Sequence, residues 1–63
     1  MTQKELLYVE DAVGHFKSII QIYEDAKNVA SDDNIVSFMD EQIVIHQNLK
    51  DELMDLLKEK ANG

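Results

Sequence analysis

The sequence predicts an all-α fold, a two-helix antiparallel hairpin that dimerises into a four-helix bundle. Three observations lead there. The chain has no Pro and Gly only at positions 14 and 63, so the strongest breakers of regular structure are nearly absent. Its apolar residues recur at helical spacing on both sides of a single polar interruption. Each apolar arc is also wider than one neighbouring helix covers.

Helix 1 is expected over about residues 3–30. Thr2 followed three residues later by Glu5 matches a capping box, in which the hydroxyl and the carboxylate each satisfy an exposed amide at the helix start. Leu6, Val9, Val13, Phe16, Ile20 and Tyr23 then repeat at alternating steps of three and four, the period of a coiled-coil seam. A second seam runs beside it through Tyr8, Ala12, His15, Ile19, Ile22 and Ala26. The pattern pauses at Ala30 to Asn34, where Ser31, Asp32, Asp33 and Asn34 all favour turns and N-caps. So short a link folds the next helix back antiparallel.

Helix 2 is expected over about 34–60, with Asp32 and Asp33 at the positive end of its dipole and Lys58 and Lys60 near the negative end. Asn62 and Gly63 are expected to fray. Its apolar residues Ile35, Val36, Phe38, Met39, Ile43, Ile45, Leu49, Leu53, Leu56 and Leu57 again spread over a broad arc. Both helices come to about 40 Å at about 1.5 Å per residue.

At 63 residues the chain makes a single domain, and a domain so small hides only about 60% of the surface of its unfolded chain. Disulfides cannot compensate, because Cys is absent. Oligomerisation is the remaining common remedy. Charge narrows the partners: 13 acidic residues against 6 basic ones give a formal −7, and every basic residue is Lys. Such a chain repels a phosphate backbone and lacks the Arg fork that reads phosphates, so nucleic acid is not an expected partner. An anionic membrane is disfavoured for the same reason. The first eight residues lack the basic and apolar segments of a secretory leader, and no run approaches the ~18 apolar residues of a spanning helix. A cytoplasmic location is the expectation.

The two histidines, His15 and His46, lie in or beside apolar seams. Carboxylate-bridged bundle sites present Glu-x-x-His, because residues three apart on a helix converge on one point. Here Ala12 and Ile43 stand three residues before the histidines. Asp11, His15 and His46 are the metal candidates that remain, and histidines that are hydrogen-bonded or at an edge are the simpler reading. No cofactor is expected. Asp11, His15 and Ser18 follow one another as acid, base and nucleophile, but a straight helix offers no oxyanion donors around them. No catalytic residue is assigned and no enzymatic activity is expected. Gly14, inside helix 1, marks either a close backbone approach or a tolerated defect. Met39 and Met54 suit core filling or an adaptable surface. Tyr8 and Tyr23 suit the rim of an interface.

The stretch from Lys4 through Leu6, Leu7, Tyr8, Val9, Glu10, Asp11, Ala12, Val13 and Gly14 to His15, followed by a helix carrying Phe38, His46 and Leu49, resembles small spore-coat proteins of the coat protein F group, which look like half of a ferritin-like bundle. The resemblance covers most of the chain. It implies a four-helix architecture and a non-enzymatic, spore-associated role. It transfers no metal ligand, since Ala12 and Ile43 replace the glutamates of iron-binding relatives.

The expected function is therefore a structural or protein-interaction module, a homodimer. Its interface is expected to draw on Leu6, Val9, Val13, Phe16, Ile19, Ile20 and Tyr23 of helix 1 with Met39, Ile43, Leu49, Leu53 and Leu56 of helix 2. A metal-binding ferritin-like bundle and a helical adaptor for another protein are the alternatives.

Overall fold

A computed structural model describes residues 1–62, with side chains through Lys60. Two helices, α1 (Gln3–Val29) and α2 (Asp33–Asn62), account for nearly all of them, and no strand occurs among the described residues. The Thr2 hydroxyl accepts the Glu5 amide at 3.1 Å and the Glu5 carboxylate accepts the Thr2 amide at 2.8 Å, so the capping box forms as the sequence predicts. At the other end Ala30 turns to extended backbone while its amide still donates to the Ala26 carbonyl at 3.0 Å. Reversal then takes only Ala30, Ser31 and Asp32, and it needs no residue at positive φ.

Asp32 is the reason α2 begins earlier than the sequence predicts. Its carboxylate accepts the Asn34 amide at 2.8 Å and its carbonyl accepts the Val36 amide at 3.0 Å, which makes it the N-cap and places Asp33 in the first turn. The far end also runs beyond the expected residue 60, since Asn62 is helical; the expected fraying at Gly63 lies outside the described residues.

Between the helices lies one narrow seam. On α1 it comprises Leu6, Val9, Val13, Phe16, Ile20, Tyr23 and Lys27, and on α2 Val36, Met39, Ile43, His46, Lys50, Leu53 and Leu57, both at alternating steps of three and four. Among the described residues only Val13 and Ile43 are buried, at 9% and 7% exposure. The other seam residues are half-buried. Overall extents of 46 × 15 × 11 Å describe a layer one helix thick. Folded domains ordinarily need two such layers to enclose a core.

Gly14 has open surroundings within the hairpin. It points to the polar back of α1, and a Cβ built there meets nothing within 4 Å. Within the hairpin, therefore, no backbone approaches it closely. Gly14→Ala should stabilise the fold by about 1 kcal/mol through helix propensity alone, which chemical denaturation measures; a loss of stability would reveal a contact at that backbone.

The capping box carries a pH dependence of known sign. Hydrogen bonding from Thr2, its backbone amide foremost, holds the Glu5 carboxyl below the ordinary carboxylate range. A carboxyl whose folded pKa is depressed contributes stability above its unfolded value and loses it as pH falls through the folded one. Amides of the first turn of α1 should therefore exchange faster with solvent on acidification below the ordinary carboxylate range, beyond the intrinsic change in exchange chemistry. Glu5→Gln should remove that extra component, and its persistence in the variant would assign it to another group.

Candidate functional site

Each helix carries a second strip beside the seam. On α1 it runs Tyr8, Ala12, His15, Ile19, Ile22, Ala26 and Val29, and on α2 Ile35, Phe38, Gln42, Ile45, Leu49, Glu52 and Leu56. The two strips share one face of the hairpin. Phe16, Leu49, Leu53 and Leu56 line the groove between the helices on that side, with Glu52 at its edge. The opposite groove is lined by Glu10, Val13, Met54, Asp55, Leu57 and Lys58. The first groove thus has one charged residue at its edge and the second has three, Glu10, Asp55 and Lys58.

Exposure on the apolar face is large. Tyr8 and Ile22 are each 64% exposed, Phe38 53% and Ile45 48%. Of the twelve large apolar side chains exposed among the described residues, eight belong to these two strips, so the uncovered surface is concentrated there. A patch of this kind marks an interaction site more often than chance exposure does.

The floor of the face is aromatic. The His46 ring lies 5.3 Å from Tyr23 and 6.1 Å from Phe16, edge-on to the latter. Its Nδ1 stands 2.7 Å from the Gln42 carbonyl. A carbonyl only accepts, so Nδ1 donates and a neutral ring keeps Nε2 as its acceptor. The imidazole is held by its own helix and by two rings of α1. On the polar side, Lys27 reaches Asp40 at 2.8 Å; that hydrogen bond, with the charge of Asp40, raises the lysine pKa above its ordinary value. Gln21 donates to Asp25 at 2.9 Å along α1.

The residues expected at the dimer interface divide between two places. Leu6, Val9, Val13, Phe16, Ile20 and Tyr23 with Met39, Ile43 and Leu53 lie on the seam between the helices of one hairpin, while Ile19, Leu49 and Leu56 lie on the outer strips. Of the metal candidates, Asp11 and His15 are exposed on α1, with His15 on the apolar strip and Asp11 on the polar back, and His46 sits in the aromatic cluster. No group of three or more His, Asp or Glu side chains converges on a common point among the described residues. No hydrogen bond among those residues joins Asp11, His15 and Ser18.

Two features escaped the sequence reading. Lys50 occupies a seam position of α2, and Gln42 occupies a position in its outer strip. The signal was there in the unbroken spacing from Val36 to Leu57, but the polar side chains interrupt its hydrophobic pattern. Among the described residues, no helix is long and apolar enough to cross a membrane. No protein-family model, curated protein or solved structure matches the chain.

Proposed function

We propose that the protein is a non-enzymatic structural or interaction module that works as a homodimer, two hairpins packed through their apolar faces into a four-helix bundle. The observation that carries this reading is the face itself, with eight large apolar side chains exposed on one side of a layer one helix thick. A folded monomer of 7.2 kDa is expected to expose about 4,100 Å², whereas this chain exposes 4834 Å². The excess, roughly 700 Å², is close to the ~800 Å² that each partner buries in a standard interface.

A second copy suits the face for a further reason. The strips contain one formally charged residue, Glu52, while the remaining charges point away from them. Docking face to face therefore leaves the net −7 of each chain in water, where repulsion is screened. Burying one large aliphatic side chain contributes roughly 1.5 to 3 kcal/mol, and face-to-face packing buries several from each copy. The resemblance of the Lys4 to His15 stretch to spore-coat proteins accords with a packing role of this kind.

At micromolar concentration, sedimentation equilibrium should give about twice the 7.2 kDa chain mass, and the unfolding midpoint should rise with protein concentration. Ile45→Asp should return the chain to monomer mass and lower its stability by several kcal/mol, whereas the same change on the surface of a solitary hairpin would cost almost nothing. A stable monomer with a concentration-independent midpoint would overturn the proposal. So would a wild-type chain that assembles only with a different protein.

A further inference from the structure

The spacing of the two outer strips identifies how the copies dock. On α1 the steps from Tyr8 to Val29 run four, three, four, three, four, three. On α2 the steps from Ile35 to Leu56 run three, four, three, four, three, four. Read from its C-terminal end, the α2 strip therefore has the same order of steps as α1. Laid antiparallel, the two coincide layer by layer, from Tyr8 opposite Leu56 to Val29 opposite Ile35. Neither strip matches itself in this way, because reversing it puts its threes against its fours.

We infer that the dimer's two-fold axis runs along the bundle, so that α1 of one copy packs on α2 of the other and both loops lie at the same end. This inference rests on the homodimer proposed above. A two-fold axis along the helices keeps every residue at its own level, and residues at one level of an antiparallel hairpin come from opposite ends of its two helices. The strip of α1 is then set against the partner's α2 strip in the orientation that matches. An axis across the helices would instead set each strip against its own reverse, which must slip by a layer to interlock.

Side-chain size agrees with the first arrangement. Both alanines of the α1 strip fall opposite the α2 side chains that need most room or water. Ala26 meets the partner's Phe38, and Ala12 meets the partner's Glu52, whose carboxylate can bend past a methyl group to solvent. At mid-face Ile19 meets the partner's Ile45. The crosswise arrangement would place Phe38 against a leucine and the Glu52 carboxylate against Ile35 or Gln42 of the facing helix. Alternation of large with small residues across facing positions lets layers interdigitate.

The absence of Cys makes the test direct. Ser31→Cys adds one spin-label site on the exposed loop, away from both strips. Pulsed dipolar spectroscopy on the dimer should give a label-to-label distance of about 20 Å, since neighbouring helices stand about 10 Å apart and each label adds a linker. With the axis across the helices the loops would sit at opposite ends of a 46 Å molecule. A distance near that length, with dimer mass retained, would overturn the docking mode and leave the dimer standing. Monomer mass with no dipolar signal would overturn both. As an independent check, an equimolar mixture of Ala26→Cys and Phe38→Cys chains should yield the mixed disulfide on mild oxidation in preference to either self-linked product; its absence from a mixture of dimer mass would count against the arrangement.

Discussion

A pair of helices offers each member only one neighbour, and one neighbour covers only one stripe. That geometric limit governs this protein, because both helices are apolar over two adjacent stripes. The stripe from Leu6 to Tyr23 meets the one from Val36 to Leu57, and together they bury no more than Val13 and Ile43. Most of what lies beside them stays exposed. A single layer of this kind loses the large cooperative burial that stabilises ordinary domains, and the hairpin has no disulfide to offset the loss.

The short loop adds a second constraint. Three residues between the helices leave little freedom in their relative phase, and the Asp32 cap at the start of α2 fixes where that helix begins. Phase decides which side of the pair each outer strip occupies. Lys27 bonded to Asp40 closes one side near the loop, while Phe16, Tyr23 and His46 cluster on the other. Polar and apolar flanks are thereby sorted to opposite faces, and a symmetric partner needs only one of them.

Much of this was legible in the chain itself. Thr2 and Glu5 announce the first helix, the run from Ser31 to Asn34 announces the reversal, and the steps from Leu6 to Tyr23 announce a continuous apolar stripe on α1. What periodicity could not decide is which of two parallel stripes faces inward. On α2 the inner stripe carries His46 and Lys50 and the outer one Gln42 and Glu52, each among five apolar residues, so hydrophobicity by itself does not choose between them. A lysine can lie along a seam on its methylenes and keep its ammonium in water, and His46 donates to the Gln42 carbonyl with its ring tilted against Tyr23 and edge-on to Phe16. Gly14 is a different case: its sequence context left two readings, and the space around it is open within the hairpin.

Polar residues in the inner stripe and apolar ones in the outer stripe have a common consequence. If the seam between α1 and α2 were the whole core, replacing its His and two Lys with leucine would be the obvious route to a more stable hairpin, and the exposed isoleucines would serve no purpose. In the proposed bundle the roles change. The inner seam needs only to hold two helices in phase, and a lysine or histidine at a core position narrows the possible registers at some cost in stability. The outer strips then supply the burial, from residues that are mostly aliphatic or aromatic, with Gln42 polar and Glu52 charged among them. In that proposed bundle the division of labour would also account for so thin a hairpin, since its stability would be inseparable from the concentration of its own copies, and assembly rather than folding of the single chain would be the step at which the module is made.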